Sequence, residues 1–192
     1  LRTAIQAAKQ ANMPKDNISR AISKSEMSQN KIYENLRYEG FGPFNTALII
    51  ETLTDNKNRS ASSIRTVLQK NGGRLGETGS TTHMFFNCGV IHIEKNKISE
   101  EQAFETTINS GAMDYLKINE YHEILTKKED FYKIKLELEK KIGEFAYSAI
   151  EWRALNYLNL SKEQSKKMID LLSALEEIDD VQNIFTNAKI ES

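Results

Sequence analysis

One cysteine in 192 residues, Cys88, leaves no intramolecular disulfide to staple the fold and suits a reducing compartment. No apolar run approaches the length that spans a bilayer, and no stretch has the basic, apolar and small-residue order of a secretory leader. The cytoplasm is the default setting, and a mitochondrial interior is equally reducing. Catalytic signatures are missing too: there is no nucleophile elbow, no Cys-His arrangement at recognisable spacing and no Gly-Lys-Ser/Thr ending of a P-loop. There are only three histidines, and His83, Cys88 and His92 match no common zinc spacing and lack an evident fourth ligand; half-buried positions on adjacent strands explain them more simply. His122 has no nearby partner of catalytic type. Glu39, Glu51 and Asp55 could pair in three dimensions for acid–base work, which needs two carboxyls of divergent pKa. No enzyme activity, metal or cofactor is expected.

The most informative stretch runs from Arg37 to Ser80. Two polar, glycine- or asparagine-containing loops, Glu39-Gly-Phe-Gly-Pro-Phe-Asn45 and Thr54-Asp-Asn-Lys-Asn-Arg-Ser60, flank an apolar run at 46–53. Ala47, Leu48, Ile49 and Ile50 in succession predict a central strand covered on both faces. Spacings of three and four between Ala61, Ile64, Val67 and Leu68 predict a helix over 59–71, stopped by Asn71-Gly72-Gly73. The glycine-rich run 72–79 follows a helix, so tight turns of positive φ account for it better than a phosphate cradle.

No acid stands between Asp55 and Glu77, while Lys57, Arg59, Arg65, Lys70 and Arg74 do. Residues 1–88 carry 12 bases and 7 acids, and residues 89–192 carry 14 bases and 20 acids, so a near-neutral chain hides a basic first part. With Arg2, Lys9, Lys15, Arg20 and Lys24, these five cations form a candidate polyanion surface, because phosphate affinity grows with the number of phosphates neutralised. Ordinary solvated helix faces are the alternative. Aromatics are not interleaved in sequence with these bases, so base stacking is only weakly indicated. Lys57 and Arg59 are expected in a polar loop after the strand, where replacing both by Ala weakens binding and leaves the fold intact.

Along the chain, residues 1–25 read as a helix pair broken at Asn12-Met13-Pro14, and Leu1 opens inside a helical pattern, so an upstream segment is expected to precede it. Strands are predicted at 33–39 and 46–53, a helix at 59–71 and a strand near 80–86. From Gly89 a strand 90–94, helix 99–110, strands 112–118 and 121–126, helix 130–142 and strand 145–152 give the β-α-β-β-α-β order of a ferredoxin-like fold. Ser99 with Gln102 and Ser161 with Gln164 are capping boxes, and Gly111 stands at a helix C-cap. Inner faces are assigned to Ala103, Phe104, Thr107 and Ile108, to Phe131, Ile134, Leu138 and Ile142, and to Met168, Leu171, Leu172 and Leu175. A last strand at 181–186 is expected to return to the first sheet. The expected class is α+β: helical residues 1–30, a discontinuous α/β domain from 31–88 and 156–192, and a ferredoxin-like domain, 89–155, inserted in it.

The motifs Met13-Pro-Lys-Asp-Asn-Ile18, Arg37-Tyr-Glu-Gly-Phe-Gly-Pro43, Leu53-Thr-Asp-Asn-Lys-Asn-Arg59, Lys70-Asn-Gly-Gly-Arg-Leu-Gly76, Gly79-Ser80 and Gly89-Val-Ile91 fall in one order across the chain. In that order and spacing the sequence resembles the YebC family. The resemblance implies a helical domain followed by two ferredoxin-like α/β domains, the third inserted in the second, with no enzymatic activity and a role in gene expression. Its members are labelled probable transcriptional regulators and include a mitochondrial translational activator of cytochrome c oxidase subunit I. The implied partners are DNA, with transcriptional control, or ribosomal RNA and the ribosome, with assistance to translation through difficult segments such as proline-rich ones. Two departures stand out: the family's basic Gly-His-Ser-Lys-Trp segment is absent, and Phe44-Asn45 replace a common Gly-Gly after Gly42-Pro43.

Overall fold

Ala47, Leu48, Ile49 and Ile50 are all completely buried, so the run at 47–50 is a strand covered on both faces. The computed structural model describes residues 31–191. The helix pair expected at 1–25, with Arg2, Lys9, Lys15, Arg20 and Lys24, lies outside the described residues. Two compact units are formed, whose described parts are 31–86 with 152–191, and 87–151.

In chain order the elements are β1 (Glu34–Phe41), β2 (Ala47–Thr54), α1 (Lys57–Lys70), β3 (Arg74–Leu75), β4 (Phe85–Glu94), α2 (Glu100–Ser110), β5 (Asp114–Ile118), β6 (Tyr121–Lys127), α3 (Phe131–Ile142), β7 (Tyr147–Ala154), β8 (Leu158–Asn159), α4 (Lys162–Glu176), β9 (Val181–Thr186) and β10 (Ala188–Lys189). In the discontinuous unit the sheet order is β3-β1-β2-β9, and each adjoining pair is antiparallel. β9 lies beside β2, with Ile50 opposite Ile184. The crossover β2-α1-β3 straddles β1, as the split βαβ of a ferredoxin-like sheet does, and α4-β9 supplies the outer strand. The strand that is third in the usual chain order comes first here, so the sheet is ferredoxin-like with a permuted order.

One face of this sheet packs Leu48 and Ile50 under Ile64 and Leu68 of α1 and Met168, Leu171 and Leu175 of α4. Each such buried aliphatic side chain contributes about 1.5–3 kcal/mol of transfer free energy. The other face sets Ala47 and Ile49 against Phe85, Ala154, Met84, Trp152 and Phe185. Ser161 caps α4 through the N–H of Gln164, whose side chain accepts in return from the N–H of Ser161, completing the box.

The second unit has sheet order β5-β6-β4-β7, the ferredoxin-like arrangement in its ordinary chain order, with Ile91, Ile93 and Ile124 under Phe131, Ile134 and Leu138 of α3. Two expectations change here. The strands expected near 80–86 and at 90–94 are one turn and one long strand: Thr82–Met84 is a 3-10 turn, and β4 runs unbroken through Gly89. Gly89 is no boundary, because a Cβ there would collide with Thr126 and the Phe131 ring, so the glycine lets α3 close onto the strand. On α2, Ala103 and Thr107 are buried, but Phe104 is 52% and Ile108 62% exposed. The buried stripe is limited to the two small residues that face the sheet.

Candidate nucleic-acid interface

The loop after β2 is organised before it reaches any cation. Thr54 Oγ1 donates to the carbonyl of Asn56 and accepts from its N–H, and the Asn56 side chain caps α1 by accepting from the N–H of Arg59 at 3.1 Å. This cap starts the helix at Lys57, so Lys57 and Arg59 belong to its first turn and not to a loop. The expectation that both lie in a polar loop is therefore corrected.

Arg59 is tied down. Its guanidinium donates to Asp180 at 3.0, 3.1 and 3.3 Å and to Asp55 at 2.7 Å, joining the start of α1 to the residue before β9. Asp180 is 2% exposed and also accepts from Ser60 Oγ at 2.7 Å. Hydrogen bonds from Asp180 first and Asp55 second hold the Arg59 pKa above its ordinary value, and the Arg59 hydrogen bond holds Asp55 below the usual carboxylate range.

A second anion-binding place is filled in the same way. Glu39 on β1 is 3% exposed, and its carboxylate accepts from the backbone N–H groups of Gly79 at 2.7 Å, Thr81 at 3.0 Å and Thr82 at 2.7 Å. Burial pushes its pKa up, but these N–H groups outweigh burial and bring it to about 2. A turn of converging amides is the kind of concavity that cradles phosphate. Here the protein's own carboxylate occupies it, which explains why the glycine-rich run carries no nucleotide signature and leaves Glu39 no part in proton transfer.

Lys57, Arg65, Lys70 and Arg74 remain. All four are exposed, and among the described residues none of them makes an ion pair. Lys70 closes α1, and Arg74 on β3 lies 4.6 Å over the Phe41 ring. The turn between them fits against the β1–β2 loop because Gly72 has φ 79° and because a Cβ on Gly73 would collide with the Phe41 carbonyl. That loop holds two residues that the order of the sequence did not connect with the basic set. Phe44 and Asn45 have φ 62° and 59°, the left-handed region where a Gly-Gly pair meets no strain, and the Phe44 ring is 37% exposed with Lys167 Nζ 6.0 Å from its centre.

The other candidate residues are used structurally. His83 lies in the 3-10 turn, not on a strand, with Nδ1 3.3 Å from the Gly79 carbonyl. His92 meets Glu123 at 2.7 Å, and His122 lies 2.8 Å from the Tyr115 hydroxyl and 3.1 Å from the Ile98 carbonyl. Cys88 is buried. Among the described residues no group of three or more His, Cys, Asp or Glu is placed to hold a metal, and no helix is long and apolar enough to cross a membrane.

Residues 33–188 match the family model described as TACO1/YebC second and third domain. A relative in Pelagibacter ubique, named a probable transcriptional regulatory protein, is 48% identical over the whole of this chain and 80% of its own length. One of the same name in Zymomonas mobilis is 42% identical over the whole chain and 77% of its length. The crystal structure of a conserved hypothetical protein from Aquifex aeolicus superposes with a TM-score of 0.79 at 39% identity, covering all of this chain and 80% of that one.

Proposed function

The chain belongs to the TACO1/YebC family, and from that premise we propose that it is a non-enzymatic, nucleic-acid-associated regulator of gene expression in the cytoplasm, with DNA as its target and transcriptional control as its output. The observation that carries the nucleic-acid part is the set of four exposed cations, Lys57, Arg65, Lys70 and Arg74, on α1 and β3. Glu39 already holds the amides of Gly79, Thr81 and Thr82, and the Asn56 side chain holds that of Arg59, so phosphate recognition in this reading falls to side-chain charge. Such a surface binds the backbone without reading sequence. Arg2, Lys9, Lys15, Arg20 and Lys24 are further phosphate-binding candidates in this reading, whereas Arg59 adds little because two carboxylates already balance it.

A second reading, a ribosome-associated translation factor, is favoured by the exposed Phe44 ring at the basic edge, since duplex DNA offers no open base face. Crosslinking in cells followed by sequencing of the bound nucleic acid separates the two. Promoter DNA supports the first reading and ribosomal or transfer RNA the second. Enrichment of neither overturns the proposal.

A further inference from the structure

A bulky aromatic in the left-handed region is held there by its surroundings. Gly42 N–H donates to the Thr46 carbonyl at 2.9 Å, and Thr46 Oγ1 donates to the Pro43 carbonyl at 2.8 Å, which closes the loop on both sides of Phe44. Thr46 is itself fully buried and sits against Met168 of α4, so the loop is fixed from below. The frame fixes the loop, and Phe44 stays 37% exposed, outside the buried core clusters of this unit. Lys167 Nζ lies 6.0 Å from the ring centre, and on the other side of the loop the turn that joins Lys70 to Arg74 meets Phe41, Gly42 and Pro43, with Arg74 over the Phe41 ring.

An outward aromatic ring flanked by cations suits one ligand chemistry above others. A nucleobase stacks on the ring through its π-face while the neighbouring ammonium and guanidinium groups take the phosphates. Paired bases in a duplex have their faces covered by the next pair, so the ring selects unpaired nucleotides. We propose that Phe44 is a stacking platform for an unpaired nucleobase in a single-stranded segment bound along Lys70, Arg74 and Lys167. This inference rests on the nucleic-acid reading above and gives it a substrate class.

The test uses the full chain and fluorescence anisotropy with three labelled probes of one sequence: single-stranded RNA, single-stranded DNA and the blunt DNA duplex. Phe44→Gly removes the ring and suits the backbone, so its melting temperature should not fall. Phe44→Trp keeps a stacking surface. Phe44→Gly should weaken single-strand binding about tenfold, within the range of one lost base stack, with an unchanged salt slope and unchanged duplex binding; Phe44→Trp should retain affinity. A greater loss on RNA than on DNA assigns the platform to RNA, and equal losses assign it to either strand chemistry. Unchanged single-strand affinity in Phe44→Gly, or an equal loss on the duplex, overturns the proposal. If Lys70→Ala with Arg74→Ala also leaves every affinity and salt slope unchanged, the nucleic-acid reading falls as well; if those changes act and Phe44→Gly does not, only the stacking platform falls.

Discussion

Two acids decide what the cations around α1 can do. Asp180 is buried and holds Arg59 from three contacts, so removing the guanidinium strips a charge partner from an inaccessible carboxylate. Arg59→Ala should therefore cost about 2 kcal/mol in urea unfolding, the scale of a lost charge-assisted hydrogen bond, while Lys57→Ala stays within about 0.5 kcal/mol. Equal, small effects for both would contradict the geometry. Glu39 gives a pH signature. Its folded pKa of about 2 lies below the ordinary 4.5, so its contribution is fully present above pH 4.5 and is lost as the pH falls from there toward 2. The shift corresponds to about 3 kcal/mol, and Glu39→Gln should lose most of it at pH 7 and flatten the acid limb of the stability curve. An acid limb identical to that of the parent would sink this assignment. Neither acid was legible in the sequence as a partner: Asp180 lies 121 positions from Arg59 and Glu39 lies 40 or more from its three amides, and pairings that distant follow from the fold alone.

At the scale of elements, much was legible because local chemistry sets it. The boxes at Ser99 and Ser161 place the starts of α2 and α4, and the left-handed Gly111 ends α2. Ser161→Ala should lower stability by about 1 kcal/mol in chemical denaturation, the usual cost of an N-cap. No change would mean that packing of Met168, Leu171 and Leu175 alone fixes that end of α4. Where periodicity misled, the competing cause is visible. Phe104 and Ile108 continue the apolar pattern of α2 yet lie outside, since Ala103 and Thr107 already fill the contact. The two-residue β3 carries no strand signal in sequence, because Arg74-Leu75 is too short to show alternation, yet it pairs with Gly40 and Phe41 on β1. Nor does the sequence link Phe44 to the cations, since only the fold brings the β1–β2 loop beside the end of α1 and Lys167.

For the whole molecule, the uneven charge of the chain leaves a set of exposed cations among the described residues once internal pairs are set aside. Arg59 drops out, held by Asp55 and Asp180, and Lys57, Arg65, Lys70 and Arg74 stay exposed on one helix and the strand that follows it. Counterion release ties each phosphate contact to a salt slope, which isolates these groups from the fold's own energetics. The most direct measurement is the affinity for nucleic acid across a range of salt, for the parent chain and for a variant with all four of these residues changed to Ala. Weaker binding on every sequence is expected, with a log–log slope reduced by roughly 0.7–0.9 per lost contact, near 3 for the set. An unchanged slope in a folded variant would mean that the exposed cations on α1 and β3 do not meet phosphate.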